Sequence, residues 1–333
     1  MSQPPALVEV LLKPETYPHH PQKVELVQTQ MSFLFLTGDY VYKVKKPVNL
    51  GFLDYTTLEK RRFFCRQELE LNRRLCHDVY LEVVPIVSRR GQIYLGGEGE
   101  VIEYAIKMKQ LPADRMMDKL LPKNLVTADM VTRVAEKLAD FHRNAVTGPE
   151  ISSYGKPEAI KINTDENFTQ TEKYIDISIS SGTYNQIKAY TDSVLKSKKS
   201  LFGKRVKEGR IKDCHGDLHA AHVCISNGIC IYDCIEFNDR FRYGDVASEV
   251  AFLAMDLDRF RHADLSQAFV DAYVRVSRDK DLSQLLNFYK CYRAYVRGKV
   301  TSFMLDDLYI PEAEKADLLA AAKNYFELAK SYI

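Results

Sequence analysis

The sequence predicts an α+β chain in two parts: a small antiparallel sheet with one helix over residues 1–110, and a mainly helical part over residues 111–333. Alternating apolar and polar segments cluster in the first third, which is the pattern of half-buried strands. Apolar residues at helical spacing dominate the remainder. One apolar strand–turn–strand segment, residues 221–235, interrupts those helices.

Each element has its own signal. Residues 32–37 and 40–45 read as strands joined by the turn pair Gly38-Asp39. Alternation puts Val41, Lys43 and Lys45 on one face of the second strand, and Pro47 ends the pairing. Thr56 or Thr57 caps a helix running to about Leu75, with a stripe of Phe64, Leu69, Leu71 and Leu75. A hairpin follows over residues 80–87 and 101–109, with a turn region at 91–99, and Leu111-Pro112 closes it. Thr127 caps a helix to Asn144 that turns Met130, Val134, Leu138 and Phe141 inward. Further helices are expected over residues 166–197, as one or two, and over 246–255, 265–276, 282–304 and 313–332.

Bulk composition narrows the function. A chain of 333 residues can bury one large core or two modest ones. Lys+Arg (47) nearly cancels Asp+Glu (45), so the +2 balance argues against a general nucleic-acid or membrane-surface binder. No run of about 18 apolar residues is present. Pro4, Pro5, Glu9, Lys13 and Pro14 fall where a signal peptide needs an apolar core, so a cytoplasmic protein is expected. The seven cysteines, an odd number without an export signal, read as reduced thiols. Cys214, Cys224, Cys230 and Cys234 lie close in sequence but form no C-x-x-C pair, which argues against zinc.

The chemistry concentrates in Asp213-Cys-His-Gly-Asp-Leu-His-Ala-Ala-His222, the following Gly228-Ile-Cys-Ile-Tyr-Asp-Cys-Ile-Glu236, and Arg242-Tyr-Gly-Asp-Val-Ala247. These segments resemble the aminoglycoside phosphotransferase/choline kinase family of the protein kinase-like fold. That family's loop reads H-G-D-x-x-x-x-N and is followed by a hairpin ending in a metal-binding Asp. The resemblance covers about residues 25 to 305. A narrower match is an uncharacterised bacterial group of phosphotransferase-like proteins, some fused to a C-terminal P-loop domain. It shares the stretches Asp233 to Asp239 and Ala251 to Asp258 and the run Tyr42-Lys-Val-Lys-Lys-Pro47. No G-x-x-x-x-G-K-[ST] occurs here, so the expectation is the kinase-like module alone.

The resemblance implies a two-lobed fold, a nucleotide-binding sheet lobe and a helical lobe carrying the catalytic loop and acceptor site. It implies ATP- and Mg²⁺-dependent transfer of the γ-phosphate to a hydroxyl of a small molecule. Such transfer passes through a loose transition state, so the protein mainly positions groups and neutralises charge. Asp217 is the expected catalytic carboxylate, which orients the acceptor hydroxyl and takes its proton. Asp233 is the expected metal ligand. Lys43 is expected at the nucleotide phosphates, with Lys45 as the competing choice on the same strand face. Glu68 is its expected ion-pair partner, with Glu70 as alternate. Asp245 is expected to cap the next helix and brace the loop. His142 and His215 are expected to pack and hydrogen-bond rather than catalyse.

Two departures stand out. No G-x-G-x-x-G precedes Lys43, so the segment 28–38 would have to cover the phosphates. His222 replaces the loop's metal-binding Asn and is the second candidate metal ligand beside Asp233. Imidazole is a poor ligand for Mg²⁺, so either Mn²⁺ is favoured, or the second metal is dispensable, or His222 points elsewhere. His222 therefore also supports a different class, a pseudokinase-type nucleotide-binding regulatory module. A protein- or nucleotidyl-transferase using the same site is a third class. Lys290, Arg293 and Arg297 share one face of helix 282–304; a solvated face is the default, and contact with an anionic acceptor the alternative. The sequence does not fix the oligomeric state.

Overall fold

A computed structural model describes residues 6–307 and 310–333. Pro4 and Pro5, used above against a leader, lie outside the described residues. The described residues open with α1 (Ala6–Leu11), β1 (Glu25–Gln28), β2 (Ser32–Leu36), β3 (Tyr40–Lys45) and α2 (Leu58–Arg73). Next come β4 (Tyr80–Arg89), β5 (Gln92–Leu95), β6 (Glu100–Lys109), α3 (Met117–Leu120) and α4 (Ala128–Asn144). Then follow α5 (Pro149–Ser153), α6 (Pro157–Thr171), α7 (Ser181–Ser197), α8 (Lys199–Lys207) and β7 (Ile211–Asp213). The hairpin of β8 (Val223–Ile225) and β9 (Ile229–Ile231) precedes α9 (Asp239–Arg242) and β10 (Tyr243–Asp245). Four helices complete the described chain: α10 (Val246–Arg259), α11 (Ala263–Ser277), α12 (Ser283–Phe303) and α13 (Glu312–Lys330).

By contacts the chain divides into two compact units. One holds residues up to Met116 together with Cys224–Asp239, and the other holds Met117–Val223 and Arg240–Ile333. The segment 224–239 therefore groups with the sheet, although it lies more than a hundred residues further along the chain.

The first unit is built on an antiparallel sheet of order β1-β2-β3-β6-β4-β5. Gly38, at φ 89°, supplies the left-handed residue that the β2–β3 turn needs. Strand alternation then decides what each face meets. Tyr42 and Val44 pack with Phe35, Ile86 and Ala105 against Val8 and Leu11 of α1. Val41 lies on the opposite face in the cluster of Cys65, Tyr80, Ile106 and Met108. That face is covered by α2, so the strand lysines expected beside Val41 are not on a solvated surface. The helix is matched to them: its buried residues are Arg61, Cys65, Glu68, Leu71 and Asn72. Of the expected apolar stripe, Leu71 and Leu75 are buried while Phe64 and Leu69 are only partly so. A helix packed on buried cations places polar side chains on its inner face. Thr57 caps it, accepting from Lys60 N.

The second unit is helical around α10, which is buried from Val246 to Leu257. Helices α12 and α13 approach closely at Gly298, where a Cβ would lie 2.9 Å from the Phe326 ring. The short ladder β7–β10 pairs Tyr243 with Asp213 and Asp245 with Ile211. The stretch expected as one or two helices over 166–197 is two, and the first starts earlier, at Pro157. Among the described residues no helix is long and apolar enough to cross a membrane.

Candidate functional site

In the first unit the residue types singled out by sequence converge on one buried cluster. Lys43 Nζ lies 2.7 Å from Glu68 Oε1 and 2.9 Å from Asp233 Oδ1. Lys45 Nζ lies 2.6 Å from Glu68 Oε2, also pairs with Glu236, and donates to Tyr55 Oη at 3.4 Å. One glutamate is thus shared by two lysines two residues apart, the spacing that puts both on one strand face. Glu70, the alternate, is exposed. Lys45 is sealed at 1% side-chain exposure, whereas Lys43 keeps 14% and Asp233 41%. Only the latter two can meet a ligand without rearrangement.

Burial disfavours every charge here, yet the partners outweigh it for most groups. Lys43 is held well above the ordinary lysine range by Asp233 and Glu68, and Lys45 by Glu236 and Glu68. The two lysines pull Glu68 below the usual carboxylate range, while burial pushes Glu236 up despite Lys45. Asp233 sits at φ 61°, a left-handed conformation uncommon for a residue with a side chain. Its N–H donates to Tyr80 Oη at 3.3 Å, and the next amide, Cys234 N, donates to Asn72 Oδ1 at 2.9 Å. Asp233 offers hard oxygen donors at partial exposure, which suits Mg²⁺.

Two expectations need correction in this unit. The segment 28–38 is not one covering turn: only residues 29–31 lie between β1 and β2, and the rest is strand and the Gly38 turn. The cysteines are not all free thiols, because Cys76 and Cys230 are joined in a disulfide, with Cα atoms 4.9 Å apart. Their separation of 154 residues hides this pairing from the sequence.

In the second unit β7 delivers the chain into the H-G-D loop, and α10 holds that loop by its backbone. His215 N and Gly216 N donate to Glu249 Oε1 at 2.8 and 2.7 Å. Gly216 takes φ 90° to make that turn. Glu249 Oε2 pairs with His142 Nε2 at 2.7 Å, and His142 Nδ1 with Tyr273 Oη at 2.7 Å. Ala220 N donates to Asp256 Oδ2 at 2.9 Å. His142 and His215 are both buried, as packing and hydrogen-bonding residues. Asp245 caps α10 at Ala247 N, but its other partner is the buried Arg205. Bracing of the loop backbone falls to Glu249.

Asp217, held on this loop, keeps a side chain one-third exposed. Burial would raise its carboxyl, but His219, then His222 and Arg297, hold it well below the ordinary carboxylate range. His219 Nε2 and His222 Nδ1 each lie 3.6 Å from Asp217 Oδ2. His222 Nδ1 also lies 2.8 Å from the Asp217 carbonyl oxygen, so this side chain folds back on its own loop. The stripe on α12 is not a solvated face. Lys290 is buried against Asp258 at 2.8 Å, and Arg293 donates to the Gly216 carbonyl at 3.0 Å.

No family model matches the chain. Uncharacterized proteins from Mycobacterium bovis and Mycobacterium tuberculosis are 32% identical over 278 residues, which is 83% of this chain and 54% of theirs. The chain spans about half the length of the curated relatives it matches. A choline/ethanolamine kinase family protein from Mesorhizobium loti has a similar structure at TM-score 0.55 and 11% identity, covering 98% of each chain. An ethanolamine kinase from Plasmodium vivax follows at TM-score 0.50 and 10% identity, over 93% of this chain and 84% of that one. The chain has the kinase-like fold.

Within this kinase-like fold several residues escaped sequence reasoning. Glu236 stands three positions after Asp233 in the D-C-I-E stretch, and that spacing was its one local signal. Tyr55 and Tyr80 carry no local signal at all. Glu249 reads as an ordinary helix residue until the loop backbone is placed on it. His219 could have been found, since D-x-H-x-x-H sets three metal-ligating residues within six positions.

Proposed function

We propose that the protein is a phosphotransferase that moves the γ-phosphate of ATP to a hydroxyl of a small molecule. The observation that carries the reading is the cluster of Lys43, Glu68 and Asp233, a strand lysine, a helix glutamate and an aspartate after a hairpin. Lys43 would contact the nucleotide phosphates, held in place by Glu68. Lys45 would act indirectly, fixing Glu68 and Glu236 from within the core. Asp233 would hold Mg²⁺. When bound, that ion would supply positive charge to offset that of the nucleotide phosphates. Asp217 would orient the acceptor hydroxyl and take its proton as the new O–P bond forms and the bond to ADP breaks. An ionised Asp217 is ready for that proton, and Arg293 fixes the loop through the Gly216 carbonyl. The names of the similar kinases support a small hydroxyl-bearing acceptor.

The test is transfer of label from γ-labelled ATP during a metabolite screen, with Asp217→Asn as control. We expect ADP and a labelled small molecule from wild type. In the variant kcat should fall by about 10²–10⁴-fold with the fold and nucleotide binding kept. Label arriving from the α-phosphate would point to nucleotidyl transfer instead. Nucleotide binding with no transfer to any acceptor would favour the regulatory reading, which the fold-back of His222 supports.

A further inference from the structure

We infer that Asp217, His219 and His222 form a binding site for a transition-type divalent cation such as Zn²⁺ or Co²⁺, built from residues other than the Asp233 proposed for Mg²⁺. Their ligand atoms all lie within 4.8 Å of one another. The local backbone explains why. A short 3₁₀ turn, Ala220–His222, follows His219, and residues i and i+3 eclipse in such a turn. The rings of His219 and His222 consequently overlap with centroids 4.0 Å apart, both edges turned toward the Asp217 carboxylate.

The spacing fits an ion. Ligands about 2.0–2.2 Å from a common centre stand about 2.9–3.5 Å from one another at tetrahedral or octahedral angles. The two Asp217–imidazole separations are 3.6 Å each and no pair of ligand atoms exceeds 4.8 Å, so the three side chains must draw together to close on an ion. Ligation by His222 Nδ1 would replace its present 2.8 Å hydrogen bond to the Asp217 carbonyl oxygen. Anchoring by Glu249 and Asp256 holds the loop backbone before any ion arrives. Two imidazoles and one carboxylate select by donor type: nitrogen ligands favour Zn²⁺, Co²⁺ or Cu²⁺ and disfavour Mg²⁺. The same ligand set takes up the carboxylate oxygen that the proposed transfer uses. Zn²⁺ bound here is therefore inhibitory, and this consequence alone rests on the proposed function.

The site is tested on the EDTA-treated 333-residue chain, titrated with Co²⁺ and separately with Cu²⁺. We expect one equivalent of Co²⁺ with visible d–d absorption, and Cu²⁺ electron paramagnetic resonance showing two coupled nitrogens. His219→Gln should weaken Co²⁺ binding by about 10-fold or more, whereas Asp233→Asn should leave the Co²⁺ spectrum in place. No bound Co²⁺, fewer than two coupled nitrogens, or a Co²⁺ spectrum lost only in Asp233→Asn would overturn the site. The nitrogen count needs no substitution, so it decides even where a variant fails to fold. Neither readout depends on phosphotransfer. Zn²⁺ that binds without slowing ATP turnover would remove the inhibitory role and leave the site standing.

Discussion

Lys43 and Lys45 are chemically identical side chains two residues apart, and the fold gives them different tasks. The motif and the strand period could bring both to one face but could not choose between them. The choice comes from α2 and the segment after β9, which seal Lys45 between Glu68 and Glu236 and leave Lys43 beside the more exposed Asp233. Lys43→Met should therefore weaken ATP by about 10–100-fold while sparing adenosine, since only contacts to charged phosphate are lost. Lys45→Met should act on stability, because it leaves buried Glu236 without its cation and Glu68 with Lys43 alone, at a cost of about 3–5 kcal/mol. Isothermal titration with ATP and adenosine, together with urea unfolding, separates the two. An ATP-selective loss in Lys45→Met with unchanged unfolding would reverse the assignment.

The longer elements were legible where periodicity had room to speak. The helices α2 and α4 begin at the threonine caps that the sequence offered, Thr57 and Thr127. Strands β7 and β10 were not legible, because three residues are too few to show alternation and their pairing is long-range. The Cys76–Cys230 link was hidden for the same reason, and it joins the chain just after α2 to β9, three residues before Asp233. It thus ties the helix carrying Glu68 to the strand that presents Asp233. Thiol titration of the denatured, unreduced protein should find five reactive cysteines of seven. Closing so long a loop should stabilise the oxidised protein by about 2–5 kcal/mol, a difference that Cys76→Ser abolishes. Seven reactive thiols, or equal unfolding midpoints with and without reductant, would refute the link.

At the scale of the whole molecule, each unit has its own buried ionic centre, and the two respond differently to acid. In the first unit Glu68 is lowered and Glu236 raised. A lowered carboxyl loses stability as pH falls and a raised one gains it, so their effects oppose each other. In the second unit Glu249 is lowered to about 2: burial works against it, but the hydrogen bond and charge of His142 prevail, helped by His215 and the Gly216 amide. A glutamate held low in the folded state contributes stability that is complete above its unfolded value, about 4.3, and is lost as pH falls toward about 2. The shift corresponds to about 3 kcal/mol. Acid should therefore loosen the helical unit first and, because Glu249 grips the His215 and Gly216 amides, release the Asp217 loop with it. Glu249→Gln should lower stability at neutral pH and flatten the stability curve between pH about 5 and 2, where wild type falls steeply. Urea midpoints measured across that range for both proteins give the answer. Parallel curves would show that Glu249 titrates alike in the folded and unfolded chain, and that the loop is held by something other than its charge.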